Sequence, residues 1–399
     1  GLNAQAQYTN WLTGDAANSD AQPSPGIVLM GGASEQDEAM KWFLERANGG
    51  DVVVIRTSGE DGYNDYLFED LGVEVNSVET ILFEGPGAAT HPYVIEQLFN
   101  AEAIWIAGGD QSEYVEYWQG TAVQDAINAL INDKGGPVGG TSAGMAILCG
   151  RYFSAMESSI TSEEALSDPL SSSITLGTND FLDVPFLQNA TTDTHYDDPD
   201  RKGRHVVFMA NVLVNQEITP LGIACDEFCA VTIDENGQAR AWGESPEFDD
   251  NVYFLRLSCN SGAPEFFNAG MPITWKYENQ ALSVLHIEAD EDGTQWLDLN
   301  DWQTHNGGTW EYWYTEKGEL YEIEGAQPDC AVNIQKLDET VSNVYPNPFD
   351  QILVIETQVP TPFQMMDASG RVIHSGFLNA GRNVVNTDDL ASGYYVLMA

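Results

Sequence analysis

Gly140-Thr141-Ser142-Ala143-Gly144 reads G-x-S-x-G, preceded by a short apolar run and followed by a helical one. Strand, tight turn and helix in that order present a serine hydroxyl at a sharp nucleophile elbow. Glycines flank the serine because the turn leaves no room for Cβ atoms. The free N–H groups of the following helix point to where an oxyanion would form. Such a serine needs a base within hydrogen-bond reach and a carboxylate that fixes the base's tautomer. Of the six histidines, His374 lies in the far C-terminal segment, and His286 and His305 in a β-rich stretch. His195 sits in Thr192-Asp193-Thr194-His195-Tyr196, in a polar loop that follows Pro185-Phe186-Leu187 and leads to a helix. Loops of that kind present catalytic bases.

The elements that must hold these residues are legible around them. Gly26–Met30 is an apolar strand ending in Gly31-Gly32, with a helical stretch over 34–47. Residues 51–57 and 78–83 read as further strands. A helix over 93–99 precedes a buried strand at 103–107, which ends in Gly108-Gly109-Asp110-Gln111. Strands at this spacing with intervening helices predict an α/β domain, a parallel sheet covered on both faces. Sites in such sheets lie at the carboxyl ends of strands, where both glycine motifs fall.

After about Pro220 the pattern becomes β-rich. Ala230–Ile233 and 239–242 flank Asp234-Glu235-Asn236-Gly237, a hairpin signal. Aromatic strands follow between 251 and 323, and the acidic cluster 290–292 reads as a solvated hairpin tip rather than a calcium loop. A polar stretch over 326–342 reads as a linker.

Composition narrows the partners. Fifteen basic against 62 acidic residues give a formal net charge of −47 over 399 residues. That field repels nucleic acid and anionic membranes, and suits solubility in a salty or extracellular medium better than attraction of a cationic substrate. No apolar run is long enough to cross a bilayer, and Gly1-Leu2-Asn3-Ala4-Gln5-Ala6 reads as a scar beside a removed signal sequence. The five cysteines, Cys149, Cys225, Cys229, Cys259 and Cys330, lack zinc-site spacing. Cys225 with Cys229 and Cys259 with Cys330 are candidate pairs, and Cys149 reads as a buried apolar residue behind Ser142.

The last segment opens Val344-Tyr345-Pro346-Asn347-Pro348-Phe349, passes through Asp367-Ala368-Ser369-Gly370-Arg371-Val372, and ends Leu390-Ala391-Ser392-Gly393-Tyr394-Tyr395. It resembles the C-terminal sorting domain of the type IX secretion system of Bacteroidetes. The resemblance implies a small β-sandwich that addresses the chain for export across the outer membrane, to the medium or the cell surface.

Four motifs resemble, in order, those of the cyanophycinase and peptidase E family of serine peptidases. They are Gly108-Gly109-Asp110-Gln111, Gly140-Thr141-Ser142-Ala143-Gly144, Asp193-Thr194-His195-Tyr196 and Gly222-Ile223-Ala224-Cys225-Asp226-Glu227. The resemblance implies Ser142 as nucleophile, His195 as general base and Glu227 as the acid that orients it. Backbone N–H groups of Gly109 or Asp110 and of Ala143 would form the oxyanion hole. Gln111, Asp193, Thr194, Arg201 and Arg204 would line the substrate site. Glu157, Glu163 and Glu164 are rival carboxylates that fall outside any matching motif. Thr194 stands where cyanophycin-cleaving members carry glutamine, and Pro199 where they carry the first of three arginines.

The expected architecture is a flavodoxin-like α/β catalytic domain over 1–245, a β-rich extension over 246–335 and a sorting β-sandwich over 336–399. The expected activity is hydrolysis of an amide beside an aspartyl residue through an acyl-enzyme, with no metal or organic cofactor. Cyanophycin or a related β-aspartyl peptide leads as substrate. An α-aspartyl dipeptidase, a serine amidase and a catalytically inactive surface binder on the same fold are the alternatives. The expected partners are that substrate and the type IX machinery, and a homodimer is left open.

Overall fold

The computed structural model describes residues 7–259, 261–328, 341–345, 352–367, 372–387, 390 and 395–398. Residues 1–6, Cys330, most of the 326–342 stretch and parts of the three C-terminal motifs lie outside the described residues. The chain divides into two compact units, 1–328 and 329–399.

The first unit holds sixteen strands among its described residues: β1 Tyr8–Gly14, β2 Gly26–Met30, β3 Asp51–Arg56, β4 Ser77–Phe83, β5 Ala103–Ile106, β6 Pro137–Thr141, β7 Ala190–Asp193, β8 Leu221–Cys225, β9 Ala230–Ile233, β10 Gln238–Trp242, β11 Asn251–Leu257, β12 Leu282–Glu288, β13 Trp296–Asp298, β14 His305–Asn306, β15 Thr309–Glu316 and β16 Glu319–Glu324. Ten of them form one sheet in the order β1-β4-β3-β5-β6-β2-β9-β10-β13-β14. Its centre, β4 to β2, is parallel throughout. The parallel sheet read from the sequence is thus present, lengthened at both edges by antiparallel strands. Strands β3 to β6 follow the doubly wound order of flavodoxin-like folds, with β2 added beyond β6.

Burial on both faces explains why these strands are continuous apolar runs. Successive side chains alternate between two cores. Leu29, Val53, Ile55, Ile104 and Val138 enter one, and Val28, Met30, Val52, Val54 and Trp105 the other. The helix expected over 34–47 spans Asp37–Arg46. Gln36 caps it by accepting from the Ala39 N–H, with Asp37 and Glu38 in its first turn and Arg46 in its last.

A second sheet runs β16-β15-β12-β11-β8-β7, with β7 and β8 parallel and the others antiparallel. The aromatic strands after 246 complete this sheet beside β8, which belongs to the stretch that carries Glu227. The chain therefore crosses from the second sheet to the first between β8 and β9, in Asp226-Glu227-Phe228-Cys229. The expected β9–β10 hairpin is present, with Ile233 opposite Ala239 and Gly237 at φ +82°. Asp290 accepts from Thr294 N (3.0 Å) and Oγ1 (2.6 Å), closing the acidic turn on itself. No helix among the described residues is long and apolar enough to cross a membrane.

The second unit contains β17 Val341–Tyr345, β18 Ile352–Thr357, β19 Thr361–Asp367, β20 Val372–Leu378, β21 Gly381–Asn386 and β22 Tyr395–Met398. They form two three-stranded sheets, β17-β18-β21 and β20-β19-β22. Leu353, Ile355 and Val385 from one sheet share a core with Phe363, Met365 and Leu378 from the other, which makes the unit a small β-sandwich.

Candidate functional site

Ser142 directly follows β6 and precedes the short helix Ala143–Ala146, at φ +51° and ψ −114°. That conformation is costly for a residue with a Cβ and persists only where neighbours impose it. Here the Ser142 N–H donates to Met30 O at 3.0 Å. A Cβ on Gly140 would lie 2.6 Å from the Gly144 carbonyl carbon, and one on Gly144 would collide with the Ile106 carbonyl. Both glycines of the motif are therefore required by close backbone packing.

His195 follows β7 at φ +46°, with its N–H on Gly31 O at 2.9 Å. Its Nε2 lies 2.9 Å from Ser142 Oγ, and its Nδ1 lies 2.5 Å from Glu227 Oε1. A carboxylate only accepts, so Nδ1 carries the proton and Nε2 is left to accept from the serine hydroxyl. Serine, histidine and glutamate thus meet where the carboxyl ends of β6, β7 and β8 converge, one from the first sheet and two from the second. The rivals stand elsewhere. Glu163 is exposed, and Glu164 caps its own helix by accepting from Thr161 N and Oγ1. Glu157 is an exposed residue of the cavity wall.

A cavity of about 470 Å³ opens over Ser142. Gly109, Asp110, Gln111 and Ala143 line one side of it, and Thr194, Arg201, Asp193 and Arg204 another. Ala143, the first residue of its helix, has no intrahelical acceptor for its N–H. Gly109 is buttressed by Tyr114, whose hydroxyl donates to Ala107 O at 2.9 Å and would lie 2.6 Å from a Cβ at that position. Asp110, not Gln111, caps the helix Gln111–Trp118, accepting from Ser112 N at 2.9 Å. Gln111 is half-exposed at the cavity edge.

Arg204 and Asp193 are buried and face each other, Nε to Oδ2 at 2.8 Å and Nη2 to Oδ1 at 2.5 Å. Burial would raise the Asp193 pKa, but the Arg204 guanidinium outweighs it and holds the carboxyl below its ordinary value. Arg201 is different. Its Nη1 donates to Thr194 O at 2.9 Å, and its Nε is buried without an acceptor among the described residues. Burial and the neighbouring Arg204 both depress its pKa. It makes no carboxylate ion pair among the described residues.

Several site residues carried no role in the sequence reading. Gly31-Gly32 follows β2, and its backbone ties both catalytic-side loops. Gly31 N donates to Cys229 O (2.9 Å), and Phe228 N donates to Gly32 O (3.1 Å). Gly32 lies at φ +124°, and a Cβ there would sit 2.5 Å from His195 Cε1. The available signal was a glycine pair at a strand's carboxyl end. Asp197 accepts from the Glu227 N–H at 2.9 Å and fixes that turn.

Asp226 is buried, accepts from Asn251 Nδ2 at 3.0 Å with Oδ2, and leaves Oδ1 without a partner among the described residues. Burial pushes its pKa up to about 7. A carboxyl whose folded value is raised contributes stability that is full below its unfolded pKa and lost as pH rises through the folded one. Asp226→Asn should therefore raise the unfolding midpoint at about pH 8 by roughly 2–4 kcal/mol in stability and change little at about pH 4. Equal shifts at both pH values in thermal melts would show that Asp226 does not titrate this way.

Cys225 and Cys229 do not pair: both are free and buried, as is Cys149. Cys225 sits inside β8 with Sγ toward Leu29 O, so its side chain is turned to the sheet rather than to Cys229. Burial pushes the Cys149 thiol up to about 11. Cys259 is disulfide-bonded. No cluster of three or more His, Cys, Asp or Glu side chains is arranged to hold a metal among the described residues.

Residues 61–240 match the family model described as peptidase family S51, and residues 343–399 that of the secretion system C-terminal sorting domain. Over those spans the chain carries a peptidase S51 domain and a type IX sorting domain, and the sorting domain marks it for export to the medium or the cell surface. Similar solved structures include a peptidase from an acI-B1 Actinobacterium, 16% identical over 58% of this chain and 91% of that one, with a TM-score of 0.41. A putative peptidase E protein from Listeria monocytogenes EGD-e is also similar, 16% identical over 55% of this chain and 99% of that one, with a TM-score of 0.36. No curated protein sequence matches the chain.

Proposed function

We propose that the chain is a serine-type peptidase that cleaves the amide bond beside an aspartyl residue of a short peptide. The carrying observation is the continuous hydrogen-bonded line from Ser142 Oγ through His195 to Glu227 at the floor of the cavity. Ser142 Oγ attacks the amide carbon while His195 Nε2 takes its proton, and Glu227 stabilises the imidazolium that forms. The oxyanion is met by N–H groups of Ala143 and of Gly109 or Asp110. His195 then gives the proton to the leaving amine. The same nitrogen deprotonates the water that attacks the acyl ester, then passes that proton to Ser142 Oγ as the ester bond breaks and the acid is released.

Arg201 supports the aspartyl specificity. It is a guanidinium at the cavity wall with no carboxylate partner among the described residues, and a carboxylate is the group that fits it. Arg204 is already held by Asp193, and Pro199 offers no donor, so one substrate carboxylate is matched rather than the several of a repeating polymer. For that reason short aspartyl peptides fit better than cyanophycin itself. Asp110 and Glu157 line the same cavity and suit a cationic group on the substrate.

Product analysis on α-aspartyl dipeptides, β-aspartyl dipeptides and insoluble cyanophycin tests this. Cleavage of dipeptides alone is expected. Release of β-aspartyl-arginine from the polymer would move the substrate to cyanophycin. No turnover, with Ser142 unreactive to a fluorophosphonate, would make the chain a binding protein. Arg201→Met should lower kcat/KM on aspartyl substrates about 100-fold and leave fluorophosphonate labelling of Ser142 near wild type. Equal loss in both assays would mean that Arg201 shapes the site rather than reads the substrate.

A further inference from the structure

The Glu227 turn is held from outside the span that matches the peptidase family. Asn251, at the start of β11, accepts the Asp226 N–H with its carbonyl at 3.0 Å. Its side-chain Nδ2 donates to Asp226 Oδ2 at 3.0 Å and to Asp249 Oδ1 at 3.1 Å. Two carboxylates on that side fix the amide's orientation, so Oδ1 is the atom turned to His286 Nε2, 2.8 Å away. His286 Nε2 is therefore a donor. Its Nδ1 faces a carboxylate too, Glu311 Oε1 at 2.9 Å, and must also donate. Trp313 Nε1 pins the other oxygen of Glu311 at 2.6 Å, and the Tyr253 ring stacks on the imidazole at 4.7 Å. With both nitrogens facing acceptors, the ring bridges Glu311 and the Asn251 amide, one amide away from Asp226.

The turn needs such support. Asp226 and Glu227 are adjacent carboxylates, Asp197 approaches the Glu227 N–H, and Phe228 is held at φ +63°. Asp226 keeps its proton up to about pH 7, and above that its charge beside Glu227 pushes the turn open. The cations that act on Asp226 are Lys202 and His286. Lys202 is itself engaged with Glu322 at 2.8 Å.

We propose that Asn251, His286 and Glu311 form a positioning chain that acts through Asp226 on the Glu227 carboxylate. Strands of the β-rich stretch thereby set how firmly the catalytic histidine is aimed. The proposal rests on the Ser142–His195–Glu227 reading. None of the three residues touches the cavity over Ser142, so they act only through the turn.

The test uses the full chain with His286→Leu, His286→Gln and Asn251→Asp, the last nearly isosteric and so least exposed to misfolding. Two readouts are taken: the rate of fluorophosphonate labelling of Ser142, and the far-downfield proton resonance of the short His195–Glu227 hydrogen bond. Thermal melts confirm that each variant is folded. His286→Leu and Asn251→Asp should slow labelling about tenfold and shift or broaden the resonance. His286→Gln should recover most of the rate, because its amide still donates to Asn251. In a Glu227→Gln background, His286→Leu should cost less than about twofold more, since the group it acts through is gone. Wild-type rates and an unmoved resonance in both His286→Leu and Asn251→Asp would overturn the proposal. So would a loss that persists undiminished in the Glu227→Gln background. If wild-type Ser142 is not labelled but the resonance still responds to His286, the catalytic reading falls and the positioning chain stands.

Discussion

Gly32→Ala is expected to lower kcat/KM roughly a hundredfold or more. The new Cβ would stand 2.5 Å from His195 Cε1 and closer still to Nε2, the atom that must take the serine proton. The main chain cannot yield easily, because Phe228 N donates to Gly32 O and the neighbouring Gly31 O accepts from His195 N. Gly32 also sits at φ +124°, outside the range that an alanine adopts without strain. The ring must therefore rotate out of line with Ser142 Oγ, and a displacement of about 1 Å suffices for a loss of that size. Gly49→Ala is the matched control. It too has positive φ, at +77°, but an added Cβ meets nothing within 4 Å. Gly49→Ala should cost a little stability and leave kcat unchanged. Hydrolysis of the best dipeptide and fluorophosphonate labelling measure both variants, and a fully active Gly32→Ala would remove Gly32 from the account of the site.

What the sequence disclosed of this site and what it hid have one cause. The strand-turn-helix around Ser142 is local: its glycines are required by residues a few positions away, or by the next strand, and so they appear as a pattern. The parallel strands are legible because burial on two faces makes each a short apolar run, as in Asp51–Arg56. Gly32 is required by a residue 163 positions further on (195 − 32), and no window along the chain joins the two. β7 was missed as a strand because Ala190–Asp193 holds three polar residues that are buried by tertiary contacts, among them Asp193 against Arg204. Arg204 illustrates the same limit for function. As an arginine nine residues beyond the base it resembles a substrate contact, and only its partner Asp193 reveals that its charge is already neutralised. The β-rich stretch read as an appended piece because its strands alternate and turn like a separate β module. Its first strand in fact pairs with β8, beside the Glu227 turn.

Glu227→Gln is expected to lower kcat about a thousandfold or more and to leave KM within a few-fold of wild type. The side chains match in shape, so the cavity and Arg201 stay in place and substrate still binds. What changes is the proton. A carboxylate can only accept, which keeps hydrogen on His195 Nδ1 and leaves Nε2 free for the serine. A glutamine amide can donate instead, and then His195 carries its proton on Nε2, the wrong nitrogen to take one from Ser142. Even in the right tautomer, the neutral amide no longer stabilises the imidazolium that forms in the transition state. Asp197 holds the Glu227 backbone through its N–H, so the turn should survive the substitution and the loss should be chemical rather than structural. Glu227→Asp separates charge from reach. It restores an acceptor that stops one methylene short of Nδ1, and an intermediate rate is expected. Retention of kcat within about tenfold in Glu227→Gln would mean that another group orients His195. Glu157, on the cavity wall, would then be the carboxylate to replace next.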